Sequence, residues 1–338
     1  KCPNLAMYPP DHKMYREKSR LLMEYLRTFT KEIEQVSVDE CYMDFTSIAD
    51  RWNSPVDGAL EIKDGIKGRF GFTVNIGIST NKLLAKMASD FQKPDRIHTL
   101  FPEEIKAKMW PLPIGELYMA GRSSVETLKK LEINTIGDLA QADPELIVLH
   151  LKSHGKMLWE FANGRGRDVV QAEPEEAKGI GNSTTLRADA ETEEEVYSVF
   201  EGLAQSVGRR LKKAGKKAGM VSVEIKYYDF RTVSHQMQIE KPSNDPKVLR
   251  ETAYNLFLEV WSGEPVRLLG IRTSKLADES EPEQLSIFDL EIPKEPDEKH
   301  KRLKKAMDEL NARFGPGAVV KASLMKKAGD STDERKKL

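Results

Sequence analysis

Two acidic side chains stand side by side in the segment IEQVSVDECYMDF, which otherwise consists largely of strand-forming residues. Asp39 and Glu40 interrupt a run of valine, cysteine, tyrosine and methionine that favours a buried β-strand. An ionised carboxylate is costly to bury unless it is paired or bound to a metal, so this pair requires a cation. Arginine or lysine partners would make the pair structural, whereas a divalent ion would make it catalytic.

Three lysines follow in the segment GISTNKLLAKMASDFQKPD. Lys82 and Lys86 lie in a predicted helix that begins at Thr80, and Lys93 comes just after it. Helix N-termini and lysines bind phosphate, while carboxylates bind Mg²⁺. The two segments therefore contain the groups for metal-assisted phosphoryl transfer, in which carboxylates hold divalent ions and lysines neutralise a triphosphate. Lys82 and Lys86 could equally be solvated lysines on a helix surface.

The elements that must position these groups are predicted from periodicity and composition. Residues 1–105 alternate helical patterns with short β-rich runs such as FTVNIGIS, which predicts helices packed on a sheet. Residues 106–170 contain short helical patterns separated by Gly and Pro, which predicts an all-helical module. A linker over 171–178 leads to a second α+β domain over 179–277, with several strands and two helices. Residues 278–338 form an acidic, Pro-containing tail that ends in an amphipathic helix.

Composition limits the classes of function. The chain has 338 residues, 39% hydrophobic, with a formal net charge of −1. Its cations are segregated, since RRLKKAGKKAG has six cations and no acid. Such a cluster gives one face a positive field that can follow a phosphate backbone, and a solvated helix end is the alternative explanation for a single cluster. No apolar run approaches the roughly 18 residues that span a bilayer. The two cysteines are too few for a disulfide framework or zinc site, so a cytoplasmic protein without a structural metal is expected.

Taken in order, a set of motifs resembles the Y-family translesion DNA polymerases of the bacterial DNA polymerase IV type. The motifs are VSVDECYMDFT, VNIGISTNKLLAKMASDFQKPD, LEINTIGDLA, KGIGNSTTL, PVRLLGIRTSKL and QLSIFDL. The resemblance implies an α+β right-hand architecture with a partial palm of mixed sheet and helices, a small all-helical thumb, an α+β little finger and a flexible tail. It also implies Mg²⁺-dependent, template-directed DNA synthesis of low fidelity past damaged templates, with primer-template DNA and deoxynucleoside triphosphates as substrates.

The resemblance assigns roles to individual residues. Asp39 resembles the family's second metal-binding aspartate, and Glu40 resembles its catalytic carboxylate, which implies two Mg²⁺ ions. Lys93 resembles the lysine that contacts the incoming triphosphate. Asp44 is expected to be structural. DNA contacts are expected from Ser37, Lys82, Lys86, Gly121, Arg122, Arg267 and Arg272. Arg267 and Arg272 could instead be ordinary surface cations.

The tail segment QLSIFDL resembles the short peptide with which bacterial polymerases dock on the β sliding clamp. Gln284, Leu285, Ile287 and Phe288 would enter a hydrophobic pocket of the clamp. The alternative is that the apolar residues fold back on the parent domain. The protein is otherwise expected to act as a monomer, with no membrane partner.

Three departures from the family pattern are visible. The chain opens at KCPNLAMYPP, without the first palm strand and fingers, so we expect an N-terminally truncated form that polymerises poorly alone. Met119 replaces the first glycine of the thumb hairpin, and a reshaped hairpin is expected because methionine adopts a positive φ only at a cost. Arg96 stands where a glycine is common. A catalytically silent DNA- and clamp-binding protein, or a nucleotidyl cyclase with a similar palm, remain alternatives.

Overall fold

The computed structural model describes residues 5–173 and 176–280, together with Cys2, Ala306, Glu309, Leu310, Arg313 and Gly315. These residues divide into two compact units, one before and one after the boundary between residues 175 and 176. The boundary lies inside the predicted linker. No helix in the described ranges is long and apolar enough to cross a membrane.

The first unit combines six helices and four short strands within its described residues. In chain order they are α1 (His12–Leu26), β1 (Ile33–Gln35), β2 (Cys41–Met43), α2 (Pro55–Phe70), β3 (Ile76–Ile78), α3 (Lys82–Asp90), β4 (Ile97–Thr99), α4 (Arg122–Lys130), α5 (Ile136–Gln141) and α6 (Pro144–Ala162). Short 3₁₀ and π turns connect several of them, at Thr46–Arg51, Pro102–Glu104, Ile105–Met109 and Ile114–Glu116. The strands form one antiparallel pair, β1–β2, and one parallel pair, β3–β4.

Helix α2 shows how closely the local sequence determines its ends. The Ser54 side chain accepts a hydrogen bond from the backbone N–H of Asp57, and Pro55 occupies the first helical turn. Gly71 ends the helix in the left-handed conformation, with φ +74°. The helix thus begins and ends at signals in its own sequence, and its apolar face packs with α1 and β1. The buried residues of this core are Leu22, Met23, Leu26, Phe29, Ile33, Ile62 and Ile66.

Helix α3 is held close against β3. A Cβ on Gly77 would lie 1.9 Å from the carbonyl oxygen of Ala85, so only glycine allows this approach. Leu84 and Met87 point into a core shared with the helices that follow, from Ile105 to Ala162. The predicted palm and thumb are therefore continuous in packing, because α3 contributes one face to the helical core. The residues of this core are Leu83, Leu84, Met87, Ala88, Leu100, Ile105, Met109, Ile114, Leu117, Leu128, Ile133, Ile136, Leu139, Ala140, Ile147, Leu158 and Ala162.

The second unit is a four-stranded antiparallel sheet with two helices on one face. Its elements are β5 (Gly179–Ala190), α7 (Glu193–Lys213), β6 (Lys216–Tyr227), β7 (Thr232–Ser243), α8 (Pro246–Val260) and β8 (Val266–Asp278). The strand order is β5–β8–β6–β7. Val221, Val223 and Ile225 alternate along β6 and pack with both helices in the core. The intervening Ser222 and Glu224 are less buried, so the opposite face of the sheet has no helical cover among the described residues.

Candidate active site and nucleic-acid contacts

The acidic pair lies in the turn of a β-hairpin, and the expectation of one continuous buried strand is wrong. Strands β1 and β2 pair antiparallel, and Asp39 and Glu40 lie in the connection between them. The Ser37 hydroxyl accepts hydrogen bonds from both backbone N–H groups, at 3.3 Å and 3.1 Å, and donates one to the Asp39 carboxylate at 2.7 Å. A serine that bonds the backbone N–H groups two and three residues ahead in this way competes with the strand ladder and favours a turn. Val36 and Val38 are each 48% exposed as a result.

Helix α3 presents its lysines to this hairpin at a four-residue spacing. The predicted start at Thr80 is two residues early, because the helix begins at Lys82 and the Asn81 side chain caps it by accepting from the Leu84 N–H at 2.9 Å. The Lys86 ammonium donates to Glu40 Oε1 at 2.7 Å. The Lys82 ammonium, one turn earlier, donates to Glu34 Oε2 at 2.7 Å.

The ion pairs continue beyond Lys86 to the end of the helix. Asp90 lies 3.2 Å from the Lys86 ammonium and 2.7 Å from the ammonium of Lys93. A continuous chain of ion pairs therefore joins Glu40, Lys86, Asp90 and Lys93, and we call it the ion-pair chain. Burial opposes the protonated form of Lys86, but its hydrogen bonds to Glu40 and Asp90 outweigh that effect and raise its pKa.

Lys82 occupies a different environment from Lys86. Its side chain is only 13% exposed, and its partner Glu34 also accepts a hydrogen bond from the backbone N–H of Gln171 at 2.8 Å. Burial alone would raise the pKa of Glu34, but this N–H and the Lys82 ammonium lower it on balance. The Lys82 ammonium is thus engaged in an internal ion pair that joins β1, α3 and the segment after α6. Its predicted contact with DNA phosphate stays a prediction.

The turn that follows α3 is held by a second set of charges. Asp95 adopts φ +59° and accepts from two lysines of α2, Lys63 at 3.1 Å and Lys67 at 2.7 Å. The Arg96 backbone N–H donates to the Asn75 side chain at 3.0 Å, so the turn closes with arginine in the place of glycine. This turn carries Lys93, whose side chain is 59% exposed.

The carboxylates fit one part of a divalent-ion site. Asp39 and Glu40 are exposed hard-oxygen donors on adjacent residues, and the Lys86 ammonium already compensates the charge of Glu40. Among the described residues, no three His, Cys, Asp or Glu side chains are close enough together to enclose a metal. Asp44 instead accepts from the Thr46 N–H at 2.8 Å, which is the structural role expected of it.

Family models match both units of the chain. The impB/mucB/samB family matches residues 1–90, and its C-terminal domain matches residues 177–287. A DNA polymerase IV from Clostridium acetobutylicum is 41% identical over 327 residues, which cover 97% of this chain and 81% of the relative. DNA polymerase IV 1 of Bacillus subtilis is 35% identical over 333 residues, covering 98% and 79%. The chain belongs to the Y family of DNA polymerases, in its DNA polymerase IV branch.

The fold agrees with that of solved Y-family structures. A chimeric Y-family DNA polymerase superposes with a TM-score of 0.70 at 22% identity, covering 81% of this chain and 80% of the other. The α+β, multidomain fold class expected from sequence is therefore confirmed. The alternative of a catalytically silent DNA- and clamp-binding protein is not favoured, since the relatives carry the name of a polymerase.

The predicted thumb hairpin of this Y-family polymerase has a methionine in the left-handed backbone region. Met119 adopts φ +70°, a left-handed conformation that is unfavourable for a residue with a Cβ, and the reshaping of the hairpin stays a prediction. Gly121 is the N-cap of α4 with φ −70°, and no side chain caps the first turn. Arg122 is 93% exposed and pairs with Glu126 at 2.9 Å. The hairpin thus leaves backbone N–H groups and one cation at the surface.

The two predicted arginines of β8 differ in their surroundings. Arg272 is exposed and lies opposite Gly181 of β5 and Ser222 of β6, on the sheet face without helices. Arg267 lies where the register of β6 and β8 shifts, with its guanidinium 4.8 Å from the ring centre of Phe230. Its nearest acid is Asp189 at 3.9 Å. Only Arg272 therefore has small residues beside it on an open sheet.

Several residues of the site were missed at the sequence level. Asp90 could have been found, because it lies four residues after Lys86 and three before Lys93. Glu34 and Asp95 offered no such signal, since their partners are distant in sequence. The predicted clamp-binding residues Gln284, Leu285, Ile287 and Phe288 lie outside the described residues, as does most of the predicted terminal helix.

Proposed function

We propose that this chain supplies the metal-binding turn and the phosphate-binding lysines for template-directed nucleotidyl transfer to a primer 3′-hydroxyl. The observation that carries the proposal is this ion-pair chain, in which Glu40 of the acidic turn is joined through Lys86 and Asp90 to Lys93. Family membership supplies the substrate class, DNA and deoxynucleoside triphosphates. The templates are damaged or distorted ones, copied with low fidelity.

Asp39 and Glu40 would hold two Mg²⁺ ions together with further ligands. Bound divalent ions lower the pKa of the primer hydroxyl and stabilise the charge on the leaving pyrophosphate. Glu40 lies at the end of the hairpin turn next to β2, where the pairing of β1 with β2 fixes its backbone. Ser37 fixes the Asp39 carboxylate by a hydrogen bond and lies where the primer terminus would approach.

Lys93 would contact the triphosphate of the incoming nucleotide. Its side chain is 59% exposed, and its present partner Asp90 lies on the surface. A triphosphate carries several negative charges, so it can compete for this ammonium more effectively than a single carboxylate. Lys86 lies one helical turn before Asp90, the partner that it shares with Lys93, and would also attract the negative charge of the triphosphate. Pyrophosphate release then restores the pairing of both lysines within the chain.

DNA contacts are proposed for both units. In the first unit, the backbone N–H groups in the first turn of α4, which follows the N-cap Gly121, and the Arg122 guanidinium would bind a phosphate. In the second unit, Arg272 and Arg267 would bind the backbone of the template, with Arg272 on an open face lined by small side chains. Lys82 would take part only if phosphate displaced Glu34. The chain would act as a cytoplasmic monomer.

The segment QLSIFDL is proposed to dock on the β sliding clamp. Gln284→Ala combined with Phe288→Ala should abolish clamp binding in a pull-down or by surface plasmon resonance. Ser286→Ala, in the same segment, is the matched control and should bind normally. Binding that survives the double substitution would remove this partner from the proposal.

Primer extension tests the proposed reaction. The protein expressed from its whole gene should extend a primer with Mg²⁺ and four deoxynucleotides, and should insert opposite an abasic site. The chain that begins at Lys1 should be assayed beside it, because Asp39 and Glu40 form only part of a two-metal ligand set. Primer-template binding without any extension by the whole-gene product would contradict the proposal.

A further inference from the structure

Asp90 occupies a position that helix physics disfavours. It is the last residue of α3, where the helix macrodipole places partial negative charge. A carboxylate there is repelled by the free carbonyl groups of the last turn. Asparagine would avoid this repulsion with almost the same shape. The carboxylate at this position therefore calls for an explanation other than the stability of the helix.

The contacts of Asp90 provide that explanation. One oxygen lies 2.7 Å from the Lys93 ammonium and the other lies 3.2 Å from the Lys86 ammonium. Burial alone would raise the pKa of Asp90, but the hydrogen bonds from Lys93 and Lys86 lower it on balance. Asp90 thus lies between Lys86, which is bonded to Glu40, and Lys93, which lies in the loop after α3.

We propose that Asp90 is a positioning residue for nucleotidyl transfer, which holds the ammonium groups of Lys86 and Lys93 between the metal-binding acid and the triphosphate. The inference rests on the proposed function, because it takes Glu40 as a metal ligand and Lys93 as a nucleotide contact. Asp90 touches neither substrate nor ion. It acts through the two lysines by fixing their side-chain rotamers before substrate binds.

Loss of the Asp90 charge has two consequences. Lys93 becomes free to adopt many rotamers, so nucleotide binding must order it and weakens. Lys86 then keeps only Glu40 of its two carboxylate partners and binds it more strongly. A divalent ion must displace this ammonium in order to bind Glu40. Both effects weaken the binding of nucleotide or metal. Once nucleotide and metal are bound, the lysines adopt the same positions as in the wild-type protein, so the rate of the chemical step is unchanged.

The first experiment separates KM from kcat in the protein expressed from its whole gene. Asp90→Asn should raise the KM for the deoxynucleotide roughly two- to fivefold, the range of an exposed ion pair, and leave kcat nearly unchanged. Asp90→Glu should restore much of the affinity. The matched control is Glu24→Gln, since Glu24 forms an exposed ion pair with Arg20 within α1. An unchanged KM, or a fall confined to kcat, would overturn the proposal.

A readout independent of turnover uses a dideoxy-terminated primer with Ca²⁺. The dissociation constant of the nucleotide in this complex should rise in Asp90→Asn as KM does. The melting temperature should change little, because the loss of the exposed ion pairs with Lys86 and Lys93 is offset by the loss of a repulsive charge at the helix terminus. A lower melting temperature with an unchanged dissociation constant would assign Asp90 a structural role and overturn the proposal.

A double-mutant cycle distinguishes this inference from the proposed function. If Asp90 acts through Lys93, Asp90→Asn should have little further effect on nucleotide affinity once Lys93→Ala is present. Fully additive effects would reject the positioning role while leaving Lys93 as a nucleotide contact. If Lys93→Ala alone has no effect on nucleotide affinity, the nucleotide contact of the proposed function is wrong, and the inference falls with it.

Discussion

The ammonium of Lys86 lies 2.7 Å from Glu40 Oε1, so the helix that carries the lysines and the turn that carries the acids are joined by a direct ion pair. A divalent ion bound to Glu40 must share or displace this ammonium. We therefore predict that Lys86→Gln lowers the Mg²⁺ concentration needed for half-maximal extension and raises the KM for the deoxynucleotide. A higher Mg²⁺ requirement in this variant would show that Lys86 does not compete with the ion.

The Glu34–Lys82 pair should matter for stability more than for DNA binding. Both side chains are less than a quarter exposed, and Glu34 also binds the Gln171 N–H. Lys82→Gln should therefore cost about 1–2 kcal/mol in the free energy of unfolding, because a partly buried carboxylate loses its charged partner. The salt dependence of DNA affinity should be unchanged. A large fall in that salt dependence would instead identify Lys82 as a phosphate contact.

The same pair predicts a pH dependence. The pKa of Glu34 is lowered from its ordinary value of 4.5. A carboxyl group with a lowered pKa in the folded state stabilises the fold fully above its unfolded-state pKa and loses that contribution as the pH falls through the folded-state pKa. The stability difference between the wild-type protein and Lys82→Gln should therefore shrink in denaturant titrations as the pH falls below 4.5. A difference that grows over this interval would contradict the sign.

Met119 should be a site of stored backbone strain. Its φ of +70° is unfavourable for a side chain with a Cβ, and the residue is 53% exposed, so little packing is lost on truncation. Met119→Gly should raise the stability by roughly 1 kcal/mol, measured as an increase in melting temperature. Met119→Ala keeps the Cβ and should not. Equal melting temperatures for the glycine and alanine variants would show that the conformation costs nothing.

Arg272 and Arg267 should differ in their contribution to DNA affinity. Arg272→Gln should weaken duplex binding and reduce the slope of log affinity against log salt by about 1, the effect of one lost phosphate contact. Arg267→Gln should change the slope less, since its guanidinium packs on Phe230 near Asp189. Equal slopes for both variants and the wild-type protein would remove these arginines from the DNA interface.

Local patterns predicted the elements of the fold well. The segment that begins at Pro55 carries a cap, a proline in the first turn and a terminal glycine, so α2 follows from its own sequence. The same holds for α7, where Thr192 and Glu195 form a capping box. The acidic hairpin was mispredicted because Val36 and Val38 carry a strong strand preference, whereas the Ser37 hydroxyl sets the turn through bonds to the backbone.

The residue types of the candidate site were predicted from the sequence, whereas the ion pairs that join these residues were not. Asp39, Glu40 and the lysines of α3 were found from composition, spacing and family resemblance. The pairing of Lys86 with Glu40 and of Lys82 with Glu34 depends on the packing of α3 against the β1–β2 hairpin, across 46 and 48 residues of sequence. Such pairs arise from tertiary structure, and no local rule indicates which acid faces which lysine.

Single-nucleotide insertion by Asp39→Asn and Glu40→Gln tests the central claim most directly. Both variants of the whole-gene protein should bind primer-template normally and lose nearly all insertion in Mg²⁺, because each removes a charged ion ligand from the hairpin turn. Asp50→Asn, an exposed acid in the turn after β2, is the matched control and should insert normally. Insertion by both hairpin variants at the rate of this control would contradict the assignment of the acidic turn as the metal-binding site.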